Sequence, residues 1–128
     1  MLRAWFVENS TRMLPNLYYG QIQPHRTPPH KSHGGFIEWA HTAMFLDHIT
    51  LLRYAAVEQG SASWSASDDA ALTAWWRDFQ VYMQSGPAQG ERKMSNNHGS
   101  WYDADWLSVT LFNGDEATAV STPPLSDR

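Results

Sequence analysis

The segment that decides the fold is SASDDAALTAWWRDFQVYMQS, residues 65–85. Its large apolar residues recur at intervals of three and four, which is the period of an α-helix with one buried face. These residues are Leu72, Trp75, Trp76, Phe79, Tyr82 and Met83. Ser65 stands three residues before Asp68, a variant of the capping box that starts many helices. We therefore predict a helix from about 66 to 85, ended by Gly86-Pro87.

Segments on both sides of this helix repeat the helical pattern. From about Phe36 to Gln59 the same intervals separate apolar residues, and Gly60 follows at a position suited to a left-handed C-cap. The apolar residues are Trp39, Phe45, Leu46, Ile49, Leu52 and Ala56. A third helix is predicted from Ser100 or Trp101 to Asn113, with Gly114 as its cap.

Two internal segments and the end of the chain are predicted to be irregular. Proline and glycine are frequent between 9 and 35, and 86–99 is the second irregular segment. Residues 115–117 begin a fourth helix that prolines soon stop, and we expect 117–128 to be a polar tail. The 128 residues are predicted to form one all-α domain. The alternation of helices and polar loops is typical of helical hairpins with a site at the end that carries the long loops.

Composition excludes several classes of function. The net charge is −4, which argues against an electrostatic surface for nucleic acid. Because the chain has no cysteine, disulfides and thiolate metal sites are excluded. No apolar run approaches the roughly 20 residues of a membrane span, and residues 1–6 do not resemble a signal peptide. Seven tryptophans indicate a core of large rings, a surface that stacks on sugars, or both.

One short run carries a high density of chemically useful side chains: Asn96-Asn97-His98-Gly99-Ser100-Trp101-Tyr102-Asp103. Carboxamide N–H groups and an imidazole can neutralise a uronate carboxylate and stabilise the charge that develops when the neighbouring proton is removed. A neutral imidazole can instead be the general base, and the phenol of Tyr102 could move a proton at the glycosidic oxygen. The alternative is that Asn96 and Asn97 cap a helix, with His98 an ordinary loop histidine.

A second polar and aromatic cluster lies near the N-terminus and comprises Arg12, Asn16, Tyr18, Tyr19 and Gln21. Arginine binds carboxylates through two parallel hydrogen bonds, which suits a uronate. Tyrosine rings stack on sugars and their hydroxyls donate hydrogen bonds. The alternative is an ordered loop in which Tyr18 or Tyr19 packs on the core.

The remaining histidines do not follow a metal-binding pattern. His25, His30 and His33 are spaced by five and then three residues with no carboxylate between them, which matches no fixed zinc motif. His41 and His48 are seven residues apart on a predicted helix, too far to share one ion. We predict no metal site.

Two separated motifs resemble the alginate lyase domain superfamily of polysaccharide lyases. The first contains Ser10-Thr11-Arg12-Met13, Pro15-Asn16-Leu17 and Tyr19-Gly20-Gln21, shortly after Trp5-Phe6, and the second is the run 96–103. They are similar to the TRMNPNLNYxQ and NNHGTWYD segments of that family and stand in the same order. The resemblance covers about Trp5 to Asp115. It departs from the family at Leu14, where the family has Asn, and at 23–30, which replaces a glycine-rich segment.

The resemblance implies a partial α/α toroid with its site at the loop ends of the hairpins. It also implies β-elimination on a uronate polysaccharide, without metal or organic cofactor. By matching positions, Asn97 and His98 are predicted to be catalytic. The predicted substrate-binding residues are Arg12, Asn16, Tyr19, Gln21, Asn96, Trp101 and Tyr102. Family members are much longer, and their catalytic tyrosine and partner arginine lie in later helices.

Three functions remain open at this point. The leading hypothesis is a lyase domain that cleaves alginate or glucuronan; the others are a non-catalytic carbohydrate-binding remnant and a structural helical domain that oligomerises. A partial toroid leaves apolar helix faces exposed, so self-association is expected. The resemblance implies an acidic polysaccharide as partner, rather than nucleic acid or a membrane, and a periplasmic or secreted location.

Overall fold

The structure, a computed structural model, describes residues 1–20, 35–58, 60 and 64–121. Within these residues all regular structure is helical. A single π-helical turn, Arg3–Val7, precedes five α-helices: α1 Thr42–Glu58, α2 Ala66–Met83, α3 Gly86–Arg92, α4 Asn97–Phe112 and α5 Glu116–Ser121. The prediction of an all-α fold is confirmed for the described part of the chain.

Helix α2 is the centre of the core, as its apolar period predicts. Ser65 accepts a hydrogen bond from the backbone of Asp68, and the Asp68 carboxylate accepts one from the backbone of Ser65, so the predicted capping box is present. Trp75 and Trp76 are both buried. Their rings pack edge to face at 5.1 Å, and Phe6 from the π-helical turn lies 4.7 Å from Trp75.

The first predicted helix begins six residues later than expected. Residues 35–41 form consecutive turns, in which the Trp39 N–H donates to the Phe36 carbonyl and the Thr42 N–H donates to the Trp39 carbonyl. Phe36 is fully buried, and its ring contacts those of Tyr82 and Tyr102. The prediction of a helix from Phe36 was wrong because the turns at 35–41 place the rings of Phe36 and Trp39 against the core helices. The sequence pattern indicates only that these residues are apolar.

The segment between α2 and α4 was predicted to be irregular, and this prediction was wrong. It contains α3, which starts at Gly86 with proline in its first turn. Proline is tolerated there because the first helical N–H groups have no intrahelical partner. Gly86-Pro87 therefore ends one helix and begins the next. Helix α4 begins at Asn97, three residues earlier than the earliest predicted start.

Helix α4 packs on both α1 and α2, which makes the described helices one body. The Tyr102 hydroxyl donates to the Met83 carbonyl at 2.5 Å, and Asn113 Nδ2 donates to the Trp76 carbonyl at 3.1 Å. Gly60 and Gly114 have φ of 58° and 74°, the left-handed geometry that we predicted for the ends of the first and third helices.

Helix α5 extends to Ser121, into the segment for which a polar tail was expected, and its Ala119 is buried. Residues 122–128 lie outside the described part. Within that part, no helix combines the length and the apolar character that crossing a membrane requires.

Candidate functional site at the start of helix α4

Asn96 holds the beginning of α4. Its side-chain oxygen accepts a hydrogen bond from the backbone N–H of His98 at 3.0 Å, which makes it the N-cap residue. Asn97 follows as the first helical residue, with an exposed side chain. The N-terminal end of a helix carries partial positive charge, which favours a carboxylate nearby. The start of α4 therefore favours a negatively charged group.

The imidazole of His98 is bonded to a buried carboxylate. Its Nδ1 lies 2.6 Å from Oε2 of Glu91, which stands on α3. The Glu91 side chain is inaccessible to solvent, whereas a quarter of the His98 side chain is exposed. One edge of the ring is thus held in the protein while part of the ring reaches solvent. A second contact joins the same two helices, since Arg92 and Asp103 form an ion pair at 3.6 Å.

Tyr82, near the end of α2, contacts the N-terminal segment. Burial raises the pKa of Tyr82 to about 12, a hydrogen bond with the Leu17 backbone opposes part of the rise, and electrostatic repulsion from Glu91 adds to it. The Tyr18 ring packs edge to face against that of Tyr82, with centroids 5.3 Å apart. Two contacts are thus observed in this region, Tyr18 with Tyr82 and Glu91 with His98.

The N-terminal motif lies along α2 and is fastened to it by its backbone. The Met13 carbonyl accepts a hydrogen bond from Trp75 Nε1 at 2.7 Å, and Leu17 is buried in the core. The Asn16 side chain accepts from the Tyr18 N–H at 3.3 Å, which forms a local turn. Arg12 is exposed. This course brings the end of the motif, rather than its arginine, against Tyr82 on α2.

A family profile described as alginate lyase matches residues 1–122. The chain belongs to the alginate lyase family. Among solved structures, it is similar to the crystal structure of an alginate lyase from Bacteroides ovatus, with a TM-score of 0.80 and 27% sequence identity. The match covers 93% of this chain but 30% of that one, so the chain spans less than a third of that alginate lyase. No significant match was found among curated proteins.

These two findings confirm both the resemblance and the fold inferred from it. The described helices form part of an α/α toroid, in a domain of the polysaccharide lyase type. Neither finding assigns a role to an individual residue of the chain.

Several predicted site residues of the alginate lyase domain do lie close together. Asn96, Asn97 and His98 are consecutive at the start of α4, and Trp101, one turn later, is half-buried. Among the described contacts, however, none joins Arg12 or Asn16 directly to Asn97 or His98. Tyr19 is 63% exposed and therefore accessible to a ligand. Gln21 lies outside the described residues, as do His25, His30 and His33.

The structure corrects the assignment of Tyr102 to substrate binding. Its side chain is 1% exposed and packs on Phe36 and Trp106. Its hydroxyl donates to the Met83 carbonyl and accepts from Gln89 Nε2 at 2.7 Å. The periodicity of α4 turns this residue inward, and both hydrogen-bonding roles of the phenol are used within the protein. Asn96 likewise uses its side-chain oxygen for the cap.

Sequence reasoning missed Glu91 as part of this site. Glu91 precedes His98 by seven residues within a segment predicted to be irregular. Only the presence of α3, which folds back on α4, brings its carboxylate to the imidazole.

A separate apolar groove of about 350 Å³ lies between the N-terminal segment and the residues that lead into α1. Its lining includes Trp5, Met13, Trp39 and Phe45. Neither Asn97 nor His98 lines it, so the groove does not coincide with the candidate site of this alginate lyase domain.

Proposed function

We propose that this domain provides the carboxylate-binding and proton-accepting part of a lyase site for a uronate polysaccharide such as alginate or glucuronan. The observation that carries the proposal is the start of α4, where exposed Asn97 stands beside an imidazole held by a buried carboxylate. Family membership supports the reaction class, and an exposed carboxamide beside the His98 imidazole is compatible with it.

The reaction makes two demands on the protein. β-Elimination removes the proton on the carbon beside the carboxylate, forms a carbon–carbon double bond, and expels the glycosidic oxygen with its bonding electrons. Asn97 would donate hydrogen bonds to the substrate carboxylate, which stabilises the charge that develops there. His98 would accept the proton. The proton taken up by the leaving oxygen is assigned to no residue of this chain.

The test is the ultraviolet absorbance of the unsaturated product when the protein is mixed with alginate or with glucuronan. We expect a rise for the natural sequence and a loss of about 10²- to 10⁴-fold in rate for His98→Ala, the usual contribution of a general base. The matched control is His48→Ala, which removes an exposed histidine from α1. An equal rate for His98→Ala and the control would refute the assignment.

A second candidate function, carbohydrate binding without cleavage, is favoured by Tyr102, the phenol of the second motif, which is buried with its hydroxyl engaged inside the protein. In that case calorimetry would detect alginate binding with no change in absorbance. Arg12→Ala should weaken this binding, because Arg12 is an exposed arginine of the first motif and a guanidinium binds carboxylates. Arg77→Ala, which removes an exposed arginine from α2, is the control. If neither polymer binds, a purely structural helical domain is the remaining function.

The proposed substrate also bears on location. Acidic polysaccharides of this kind are extracellular, so a protein that cleaves or binds them would act in the periplasm or outside the cell.

A further inference from the structure

The Glu91 carboxylate is the least accessible charged group near the candidate site. It has no solvent-exposed surface, and its Oε2 lies 2.6 Å from His98 Nδ1. A carboxylate removed from water is costly unless it is hydrogen-bonded and paired with a donor. The short contact to the imidazole supplies such a donor. Glu91 is thus placed to act on the ring and not on a ligand in solvent.

This contact restricts which ring nitrogen carries hydrogen. A carboxylate only accepts hydrogen bonds, so Nδ1 must be the donor. In a neutral imidazole that leaves Nε2 with a lone pair and no hydrogen. Tyr82 on α2 stays protonated, with its pKa raised to about 12, so it adds no negative charge to this region. Arg92 and Asp103 form their own ion pair between α3 and α4.

We propose that Glu91 is a positioning residue that holds His98 with its hydrogen on Nδ1, so that Nε2 is the proton acceptor. This inference rests on the proposed function and decides between the two roles open to His98, general base and donor to the carboxylate. When Nε2 accepts the substrate proton, the imidazolium that forms is stabilised by the adjacent Glu91 carboxylate. The arrangement is analogous to the carboxylate that orients the histidine of a serine protease triad.

The first test measures the tautomer directly and does not need activity. In ¹⁵N-labelled protein, correlation of ring nitrogens with ring carbon-bound hydrogens distinguishes a protonated from an unprotonated nitrogen. The His98 signals are assigned by their loss in His98→Gln. We expect hydrogen on Nδ1 and none on Nε2 at the pH of the assay. Hydrogen on Nε2, alone or together with Nδ1, would overturn the proposal because such a ring cannot accept a proton there.

Variants at Glu91 test whether this residue is what fixes the tautomer of His98. Glu91→Leu removes the acceptor while filling the same buried space, and the Nε2-protonated form should then appear. Glu91→Gln keeps an acceptor oxygen and should retain more of the original tautomer. Asp105→Asn is the control, since it alters another buried carboxyl, on α4, that contacts Thr42. An unchanged tautomer in Glu91→Leu would contradict the proposal, and the spectrum of the natural sequence decides the question if that variant does not fold.

The second test compares kcat with KM for the uronate polymer. Because Glu91 is buried and does not contact a ligand, Glu91→Leu should lower kcat on the order of 10- to 100-fold with little change in KM. Glu91→Gln should recover part of this loss. If the natural sequence is active and Glu91→Leu leaves kcat unchanged, the positioning role is refuted. The proposed function is then unaffected. No absorbance change with the natural sequence would refute the proposed function, while the tautomer measurement would still test Glu91.

Discussion

At the scale of single residues, Asp105 is a carboxyl group placed where its charge is unfavourable. It is 2% exposed in the interior of α4. Within the described part of the chain, its Oδ2 has no hydrogen-bond partner. Burial raises the pKa of Asp105 to about 8, and a hydrogen bond from the Thr42 side chain opposes part of the rise. The group is therefore neutral in the folded protein at pH values where it is ionised in the unfolded chain.

This difference predicts a stability that falls as pH rises. Between the ordinary pKa of an aspartate and the folded value of about 8, the folded protein binds one more proton than the unfolded chain. Its free energy of unfolding should decrease by about 1.4 kcal/mol per pH unit from this group. Asp105→Asn removes the titration, so between about pH 5 and pH 7.5 its free energy of unfolding should gain about 3 kcal/mol relative to the natural sequence.

Urea unfolding at the two pH values measures this gain. Asp47→Asn, which neutralises an exposed carboxylate on α1, is the control. If Asp105→Asn and the natural sequence respond equally to pH, the carboxyl is not buried and neutral as described.

At the scale of elements, the start of α4 combines a helix cap with the residues of the proposed site. Asn96 caps the helix, and the next two residues are Asn97 and His98. Asn96→Ala should lower the free energy of unfolding by about 1 kcal/mol because the His98 N–H loses its acceptor. Asn96→Ser keeps a capping oxygen and should restore most of the stability. Urea unfolding measures both variants.

Asn96→Ala and Asn96→Ser also distinguish helix capping from substrate binding as the role of Asn96. If its only role is the cap, Asn96→Ser should also retain the affinity for alginate. A variant of normal stability that no longer binds the polymer would instead return Asn96 to the substrate-binding residues.

At the scale of the whole molecule, the domain exposes an apolar face on α1. Met44 and Leu51 are seven residues apart and lie on one side of the helix, with Tyr54 beside them, and each is more than half exposed. The Bacteroides ovatus structure is more than three times as long as the region matched here. We expect self-association through this face when the chain is studied alone, because contiguous apolar surface favours burial.

Light scattering across a range of protein concentrations tests this expectation. Leu51→Asp should shift the population toward the monomer. Leu14→Asp is matched to it, since Leu14 and Leu51 are 66% and 65% exposed, but Leu14 lies in the N-terminal segment. A monomer at all concentrations, or equal effects of both variants, would contradict the assigned face.

The sequence by itself determined the parts of this protein that depend on neighbours along the chain. The period of Leu72, Trp75 and Phe79 predicted α2, and Ser65 with Asp68 predicted its capping box, because helix periodicity and capping act over three or four residues. Gly60 and Gly114 marked helix ends for the same reason. The rare run 96–103 also identified the family.

Only the tertiary structure decided which side chains meet. The turns at 35–41 and the short α3 depend on the residues that Phe36 and Glu91 pack against. These contacts cannot be predicted from neighbouring residues along the chain. Tyr102 belongs to the motif by sequence, yet the packing of α4 on α2 buries it. Conversely, Glu91 has no motif around it and becomes the partner of His98. Contacts between separate helices are set by the packing of the whole domain, so the residue that orients the proposed base could be found only after the helices were in place.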